Sequence, residues 1–402
     1  MIPPADIRSH FPIFQTYPDL VYLDNAATTQ KPQAVIDGIQ KFYVEENANI
    51  HRGIYPLALK ATQAYESVRQ KVANAIHTPD PTQIVYTSGT TEGINLVAHS
   101  FLTPRLREGD EVIISSMEHH ANLIPWQIAC KKVGAHLKVL PISELGEIRV
   151  EDLEAMLTEK TRFLAVVHIS NTLGTINPIE EMIGLAHHKG VPVLIDAAQS
   201  MAYYDINVEE LDVDFLVFSG HKIFGPTGTG ILYGKKVHLE QMEPYQVGGD
   251  MIKEVSYEET TFAGIPQRFE AGTTNIAGIV GLGYALDYLS TLPHQDIQKH
   301  IQQLTTYCTE NLLDIPGLEI IGRAAKKSGI ISFTMKEVHP HDVATMLGEV
   351  NIAVRAGHHC TQPLMETWEL PGTTRVSFSI YNSMEDVNKL VEAVRQTQLF
   401  FA

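Results

Sequence analysis

Residues 192–222 read PVLIDAAQSMAYYDINVEELDVDFLVFSGHK and contain two short apolar runs, 192–196 and 215–218. Polar residues follow at the end of each run, Asp196 in the first and Ser219 to Lys222 after the second. Outward from this stretch, short apolar runs alternate with longer segments of helical period from residue 84 to residue 233. This alternation predicts an α/β fold with a mostly parallel sheet and helices on both faces. Ligands should then bind at the carboxyl ends of the strands.

The predicted elements divide the chain into two regions. Strands are expected at residues 84–87, 111–115, 137–142, 163–169, 192–196, 215–218 and 230–233, and helices at 94–102, 124–133, 150–157 and 179–188. After about residue 289 the pattern changes to helices at 295–313, 341–350 and 384–397 and strands at 330–335 and 376–380. We therefore predict a large domain over residues 21–290 and a smaller α+β domain formed by 1–20 with 291–402.

The composition argues against several classes of protein. The 402 residues carry 30 Lys and Arg against 47 Asp and Glu, a net charge of −17, so nucleic acid would be repelled over most of the surface. Three scattered cysteines do not form a disulfide framework, which favours a reducing, cytoplasmic setting. We expect no secretory signal at residues 1–14, and no apolar run reaches the ~18 residues of a membrane span.

A turn after the first strand of the alternating region supplies a candidate for ligand binding. Residues 87–93, TSGTTEG, place hydroxyls and backbone N–H groups at a predicted helix N-terminus, which suits a phosphate group. Taken alone, the same residues are explained as well or better by an ordinary helix cap with a glycine turn. The segment is neither G-x-G-x-x-G nor G-x-x-x-x-G-K-[ST], so dinucleotide and nucleoside triphosphate sites lose their main support.

Two strand ends add a carboxylate and an amine. Asp196 either caps the next segment or pairs with a cation such as a protonated ring nitrogen. Lysines at strand ends are commonly solvated, but Lys222 lies in SGHKIFGP, residues 219–226, whose small and apolar residues would desolvate the amine and favour its nucleophilic form. A phosphate-binding turn at residues 87–93, together with an aspartate and a lysine at the ends of separate strands, indicates a pyridoxal phosphate site.

These motifs resemble those of the fold-type I pyridoxal-phosphate enzymes of the class V aminotransferase family, and within it the SufS-type cysteine desulfurases. The likeness extends from LDNAATT at residues 23–29 to Arg375. It implies a cofactor, pyridoxal 5′-phosphate, bound covalently to Lys222, with Asp196 on the pyridine nitrogen and His119 stacked on the ring. The resemblance also implies further cofactor contacts, from Gln199 to the phenolic oxygen and to the phosphate from Thr90, Thr91, Ser219 and His221.

The segment AGTTN, residues 271–275, resembles one that reaches the cofactor phosphate of a neighbouring subunit. The resemblance therefore implies a homodimer in which Thr273 or Thr274 makes that contact. Arg375 is either a surface ion pair or a bidentate ligand for a carboxylate, and the resemblance favours the second role. The substrate-binding residues that it implies are Asn171, Arg375, Arg355, His51, Arg52 and Asn25.

Cys360 ends the segment RAGHHC, residues 355–360. A loop cysteine beside two histidines and near an arginine lies in an electropositive neighbourhood, which favours the thiolate. Cys130 and Cys308 lie in helical patterns, where a small buried residue is expected. The segment matches the R-x-G-H-H-C signature of the SufS-type enzymes, which implies that Cys360 is the sulfur-accepting nucleophile.

A metal site is the alternative interpretation of the histidine-rich segments 118–122 and 358–360. The chain has neither H-E-x-x-H nor C-x-x-C, so we predict no metal. The pair His187 and His188 is predicted to be a solvated helix end, where histidine suits the helix dipole.

The reaction implied by the resemblance converts L-cysteine to L-alanine and transfers the sulfur to Cys360 for iron–sulfur cluster assembly. Selenocysteine lyase activity, with L-selenocysteine as substrate, is the nearest alternative, followed by a transaminase. A non-catalytic sulfur carrier is opposed by Lys222, Asp196 and Cys360, and a nicotinamide dehydrogenase by the glycine order at 225–230. The short segment from Gly357 to Trp368 predicts an acceptor, SufE-like or SufU-like, that inserts its own thiol.

Overall fold

The computed structural model describes residues 4–401, and its strands form four sheets. In chain order the strands are β1 (Val21–Tyr22), β2 (Ile84–Thr87), β3 (Glu111–Ser115), β4 (His136–Leu140), β5 (Thr161–Val167), β6 (Val193–Asp196), β7 (Phe215–Ser219), β8 (Gly230–Gly234), β9 (Ile252–Val255), β10 (Thr260–Phe262), β11 (Leu318–Ile321), β12 (Ile330–Met335), β13 (Ile352–Ala353), β14 (Arg355–Gly357) and β15 (Thr373–Ser377).

Helices connect most of these strands. In chain order they are α1 (Pro4–Ser9), α2 (Ile13–Thr16), α3 (Gln33–Lys41), α4 (Pro56–Ala75), α5 (Thr90–Leu96), α6 (Ile124–Val133), α7 (Val150–Met156), α8 (Ile179–His188), α9 (Val208–Leu211), α10 (Lys236–Leu239), α11 (Ile276–Ser290), α12 (His294–Leu313), α13 (Pro340–Glu349), α14 (Gln362–Thr367) and α15 (Met384–Phe401).

The largest sheet has seven strands in the order β2-β8-β7-β6-β5-β3-β4. Only β8 opposes its neighbours in direction, since it pairs antiparallel with both β2 and β7. The seven strands correspond to the seven predicted between residues 84 and 233, so the predicted mostly parallel α/β sheet is confirmed. The ends differ by up to two residues in this sheet, as in β5, which is Thr161–Val167 rather than 163–169.

Successive residues of the central strands face opposite sides of the sheet. In β7, Phe215 and Val217 belong to one buried apolar cluster, whereas Leu216 and Phe218 belong to the other. A strand with apolar residues on both sides is stable only when both faces of its sheet are covered. Helices on the two faces provide that cover, which leaves the carboxyl ends of the strands as the open edge.

The C-terminal region forms a second sheet of four antiparallel strands in the order β11-β12-β15-β14. The N-terminal segment joins it, because β1 pairs in parallel with β13 and Asp24 forms a bridge with Ser377. The division into domains at 21–290 and 1–20 with 291–402 stays a prediction, and residues 1–3 and 402 lie outside the described residues.

Several elements were not predicted from the sequence. Helix α11, Ile276–Ser290, is buried along most of its length and lacks the polar stripe by which an amphipathic helix is recognised.

The predicted strand 376–380 lies instead at Thr373–Ser377. Within residues 4–401 no single helix is long and apolar enough to cross a membrane, although α11 and α12, bent by 83°, pass that test as a pair.

Candidate active site

A cavity of about 440 Å³ opens at the carboxyl ends of the central strands. It lies where β5, β6 and β7 end, beside the segments that follow β2 and β3 and the loop after β14. This is the edge at which α/β sheets bind ligands. The predicted site residues that line it are Thr90, Thr91, His119, Asn171, Asp196, Gln199, Ser219, His221, Lys222, Arg355, Cys360 and Arg375.

Lys222 ends a single helical turn, Gly220–Lys222, that directly follows β7. The turn is tightly held, because Gly220 N–H donates to the Thr229 carbonyl at 2.9 Å and Thr29 N–H donates to the His221 carbonyl at 3.1 Å. A Cβ at Gly220 would lie 2.2 Å from Thr229 Oγ1, so glycine is required there. Burial lowers the pKa of Lys222 to about 8, against the opposing charge of Asp196. The amine therefore deprotonates readily, as a nucleophile or base must.

Asp196 is the last residue of β6 and is 3% exposed. Its carboxylate accepts a hydrogen bond from Ala198 N–H at 2.9 Å, and burial raises its pKa above the usual value. A buried carboxylate of this kind is stabilised by a cation placed beside it. Gln199, three residues later, lines the cavity and donates from Nε2 to the Ala26 carbonyl at 2.8 Å.

The hydroxyls of Thr90 and Ser219 meet in one corner of the cavity. Thr90 is the first residue of α5, and both its N–H and its Oγ1 lie within hydrogen-bond distance of Ser219 Oγ, at 2.9 and 2.8 Å. Thr91 lines the cavity next to them. His221 stays neutral beside this corner, because burial, with the charges of Lys222 and Lys31, lowers its pKa to about 4. The corner offers neutral donors to a dianionic group.

His119 lies just before a short helical turn, His120–Asn122, that follows β3. Burial, reinforced by the charge of Lys222, lowers the pKa of His119 to about 4. Its Nδ1 accepts the N–H of Ala121 at 3.0 Å, so the neutral ring carries its proton on Nε2.

No role for the buried Glu118 was predicted from the sequence. It accepts hydrogen bonds from Ser115 Oγ at 2.5 Å and Val167 N–H at 3.0 Å, which ties the end of β3 to the end of β5.

Asp24 connects the two arginines of the site. No role for Asp24 was predicted from the sequence. Its carboxylate accepts from Arg355 Nε at 3.1 Å and Nη2 at 2.8 Å, and from Arg375 Nη2 at 3.3 Å. Arg375 Nη1 donates to the Asn171 carbonyl at 2.8 Å. Among the described residues, Arg375 Nε and Asn171 Oδ1 are buried without a hydrogen-bond partner. These two atoms are a donor and an acceptor available to a ligand.

Cys360 is the exposed cysteine of the three, and it lines the cavity. Cys130 and Cys308 are buried, and burial raises the pKa of both thiols. Cys360 lies close enough to the cationic groups of Arg355, Arg375 and Lys222 to interact electrostatically with all three. The cysteine predicted from the sequence to be the nucleophile, Cys360, is therefore the one that is exposed to solvent and lines the cavity.

Five predicted site residues lie outside this cavity. The Asn25 side chain is engaged with Ser377, Asn382 and Tyr381, so it has no free polar atom for a substrate, and its predicted substrate contact is corrected to a structural one. His51 and Thr274 line a separate small pocket, and Arg52 forms an ion pair with Asp250 at 3.2 Å. Thr273 is exposed. Within one chain, neither His51 nor Arg52 therefore lines this cavity.

The cavity fits pyridoxal phosphate. Paired hydroxyls at a helix N-terminus suit the phosphate, and a buried carboxylate of raised pKa suits a protonated pyridine nitrogen. Lys222 offers an amine of lowered pKa on the neighbouring strand end. The unpartnered Arg375 Nε and Asn171 Oδ1 offer a hydrogen-bond donor and an acceptor to a substrate.

A metal site was the alternative interpretation of the histidine-rich segments 118–122 and 358–360. Within residues 4–401 no three His, Cys, Asp or Glu side chains are grouped so as to hold a metal ion.

The prediction that His187 is a solvated helix end is wrong, because its ring lies 2.8 Å from Asp214 and 3.2 Å from Asp212. His188 is exposed, as expected.

Comparison with known proteins gives consistent results. Residues 21–390 match the family model described as aminotransferase class V. The chain is 46% identical to a probable cysteine desulfurase of Halalkalibacterium halodurans over 98% of both chains. It is 44% identical, over 98% of its own length, to a longer cysteine desulfurase of Synechococcus elongatus, of which it spans 63%. The crystal structure of the cysteine desulfurase CsdA (S-sulfonic acid) from Escherichia coli superposes with a TM-score of 0.94 and 40% identity, covering both chains fully.

Proposed function

The chain belongs to the class V aminotransferase family and is a cysteine desulfurase, and we propose that it converts L-cysteine to L-alanine while the sulfur is transferred to Cys360 as a persulfide. The observation that carries this proposal is the convergence of Lys222, Asp196, Arg375 and Cys360 on one cavity. Each of these side chains has a separate task in such a reaction. We place the chain in the SufS-type group because of its RAGHHC segment.

Pyridoxal 5′-phosphate is the cofactor of this family, and the cavity has a group for each part of it. Thr90, Thr91 and Ser219 would hold the phosphate, with the neutral His221 beside them. Asp196 would keep the ring nitrogen protonated, and Gln199 lies within the same cavity. When bound, the cofactor supplies an electron sink that makes the substrate Cα–H acidic.

Lys222 and His119 are the groups that move protons. The neutral amine of Lys222 takes the proton from the substrate Cα, since its lowered pKa makes this form accessible near neutral pH. His119 holds a proton on Nε2 while Nδ1 is fixed by Ala121 N–H. The burial that lowers the pKa of His119 returns the ring to its neutral form after each transfer.

Arg375 binds the substrate carboxylate. Its guanidinium is buried and is oriented by Asp24 and by the Asn171 carbonyl. The Nε atom that lacks a partner supplies a donor, and a substrate carboxylate satisfies it. The unpartnered Asn171 Oδ1 accepts a second hydrogen bond from the substrate. Arg355 also donates a hydrogen bond to the Asp24 carboxylate, and it lies at the same end of the cavity near Cys360.

Cys360 accepts the sulfur. Its thiolate attacks the substrate sulfur, and the S–S bond forms as the substrate C–S bond breaks. The carbon keeps the bonding electron pair and is protonated, which releases alanine and leaves a persulfide on Cys360. Arg355, Arg375 and Lys222 supply positive charge around the sulfur atoms that react in this step.

The decisive experiment replaces the nucleophile. We expect Cys360→Ala to retain the cofactor absorbance and the spectral change on adding cysteine, but to lose alanine and sulfide production almost completely. Cys130→Ala is the matched control, because this buried thiol is remote from the cavity and should leave turnover unchanged. Turnover is measured as alanine formed with a thiol reductant present.

Two results would contradict the proposal. Full cysteine activity of Cys360→Ala would remove the persulfide mechanism. Loss of cysteine activity with retained selenocysteine activity agrees with it, since the more acidic selenol can react without Cys360. A protein far more active on selenocysteine than on cysteine before mutation would favour a selenocysteine lyase instead.

We also propose that the chain is a homodimer. Exposed apolar side chains surround His51 in the sequence, among them Val44, Ile54 and Leu59, at 74%, 93% and 58% exposure. Surfaces of this kind are commonly covered by a partner. Thr273 is exposed and next in the chain to Thr274, whose hydroxyl donates to Tyr65 Oη at 2.9 Å, so we assign the contact with the neighbouring cofactor to Thr273.

Subunit mixing tests this assignment. Thr273→Ala should weaken cofactor binding, and Lys222→Ala should be inactive. A heterodimer of the two has one site with both an intact Lys222 and a Thr273 from the other subunit. We expect activity to reappear on mixing under dissociating conditions followed by dilution. A monomer in sedimentation velocity, or no recovery on mixing, would disprove the shared site.

We propose that the persulfide is passed to a SufE-like or SufU-like protein for iron–sulfur cluster assembly in the cytoplasm. Cys360 lies in the cavity on a segment of four residues between β14 and α14, so the acceptor must insert its own thiol. Turnover should rise on adding a thiol-bearing partner of this kind and should not rise with the same partner carrying serine in place of the thiol. Equal rates with both partners would contradict this transfer.

A further inference from the structure

The segment that carries Cys360 has a backbone conformation that needs support from outside the segment. His359 and Cys360 both have a positive φ, 52° and 58°. This left-handed region costs a residue with a Cβ about 1–2 kcal/mol, so two in succession persist only when neighbouring groups hold them. The segment spans residues 358–361 and connects β14 to the short helix α14. The position of the thiol therefore depends on what holds these residues.

His120 holds the segment at two points. Its backbone N–H donates to the Cys360 carbonyl at 2.8 Å, and its ring Nε2 accepts the N–H of Gln362 at 3.1 Å. The second bond requires the lone pair of Nε2, because the backbone N–H can only donate. The two bonds lie on either side of Thr361 and so fix the chain direction just after the thiol.

Other residues hold the neighbouring parts of the segment. Asn171 Nδ2 donates to the His359 carbonyl at 2.7 Å, and Thr172 Oγ1 lies 2.9 Å from Thr361 Oγ1. Neither contact involves the Cys360 carbonyl or the Gln362 N–H. Among these three residues, only His120 bonds Cys360, through its backbone N–H, and only its ring bonds the N–H of Gln362, so the ring is the part of this support that a substitution removes.

The same turn also fixes His119. The Nδ1 atom of His119 accepts the N–H of Ala121, and Asn122 N–H donates to the His119 carbonyl at 2.8 Å. His120 lies between these two bonds in the chain. One short turn thus joins the histidine that lines the cofactor cavity to the segment that presents the sulfur acceptor.

We propose that His120 is a positioning residue that sets the location of the Cys360 thiolate relative to the substrate sulfur. This inference rests on the proposed function, since it assigns to His120 the geometry of the sulfur-transfer step. His120 contacts neither the cofactor nor the substrate in this role. Its effect is on the rate of the S–S bond-forming step and not on substrate binding.

The test compares two substitutions in the holoenzyme. His120→Leu fills similar space without an acceptor, whereas His120→Gln offers Oε1 at the same number of bonds from Cα as Nε2. We expect His120→Leu to slow single-turnover persulfide formation by about tenfold to a hundredfold, the cost of a misplacement of ~1 Å. The cysteine concentration for half-maximal spectral change should stay at the wild-type value. His120→Gln should recover most of the lost rate.

His188→Leu is the matched control, since His188 is exposed at the end of α8 and should leave every parameter unchanged. If His120→Leu does not yield folded holoenzyme, His120→Ala replaces it, with the rate of Cys360 alkylation by iodoacetamide as a second readout. A wild-type persulfide rate in the Leu or Ala variant, or a Gln variant as slow as Leu, would overturn the inference. Activity in Cys360→Ala would instead overturn the proposed function, so the two failures are distinguishable.

Discussion

At the scale of single residues, burial sets the reactivity of the site. Lys222, Asp196 and His119 are each shifted toward the uncharged form by burial, with pKa values lowered to about 8 for Lys222 and about 4 for His119 and raised for Asp196. Groups that must exchange protons near neutral pH are commonly tuned in this way.

The pKa of Lys222 predicts how the cofactor-free protein takes up pyridoxal phosphate. Burial lowers the pKa of this amine from 10.5 to about 8, so the nucleophilic form accumulates as the pH rises to about 8. We expect the rate of cofactor uptake, followed by absorbance, to increase with pH and level off above about 8. Borohydride trapping and peptide mapping should place the label on Lys222, and Lys222→Ala should take up none. A rate that keeps rising to about pH 10, the ordinary range of lysine, would show a solvated amine.

At the scale of elements, close approach between β8 and the turn before α5 shapes the phosphate corner. Gly230 begins β8 and pairs with Thr87 of β2 and with Ser219 of β7. A Cβ on Gly230 would lie 2.4 Å from Gly89 Cα, immediately before Thr90. The glycine therefore lets the N–H of Thr90 reach Ser219.

Gly230→Ala should accordingly displace the phosphate corner. We expect a loss of about 1–3 kcal/mol in the free energy of unfolding, the usual cost of overpacking, and cofactor binding weakened by about tenfold. Gly184→Ala is the matched control, because no atom lies within 4 Å of its added Cβ in the middle of α8. That substitution should stabilise the chain by ~0.5–1 kcal/mol and leave cofactor affinity unchanged. Equal cofactor affinity in the Gly230→Ala protein would contradict this role of Gly230.

Across the whole molecule, a polar cluster around Asp214 stabilises the amino ends of the central strands, opposite the end at which the cavity lies. Asp214, which directly precedes β7, accepts hydrogen bonds from His187 of α8 and His238 of α10, both at 2.8 Å, and from Val193 N–H of β6 at 2.8 Å. Burial alone would raise the pKa of Asp214, but these bonds hold it at about 2. The cluster therefore joins two helices to the amino ends of two central strands.

The lowered pKa of Asp214 predicts a pH-dependent contribution to stability. Since its folded pKa of about 2 lies below the unfolded value of ~3.9, the contribution is complete above about pH 4 and is lost as the pH falls toward 2. Asp214→Asn should therefore lower the free energy of unfolding by about 2 kcal/mol at pH 7, with a difference that shrinks below about pH 4. Urea titrations at several pH values measure it.

Asp212→Asn is the control for this prediction. Asp212 also contacts His187 and Lys235, but it is 67% exposed, and exposed ion pairs contribute little. Its substitution should change the free energy of unfolding by less than ~1 kcal/mol. A pH dependence of stability that is identical in Asp214→Asn and the unmutated chain would disprove the role of Asp214.

Local patterns in the amino-acid sequence were enough to identify the α/β class and the part of the site that lies at strand ends. Apolar periodicity is local, so the seven strands could be located within a few residues, and parallel strands bring Thr90, Asp196 and Lys222 to one edge. The resemblance to a known family added Cys360, Arg375 and His119. None of these predictions required a contact between distant residues to be known.

Contacts between side chains that are far apart in the chain could be identified only from the folded structure. Asp24 pairs with Arg355 across 331 residues, and Gln362 reaches His120 across 242. The same packing engages Asn25 and Thr274 in contacts within the chain and joins His187 to Asp214. Such pairings follow from how sheets and loops pack in three dimensions, and local periodicity carries no record of them.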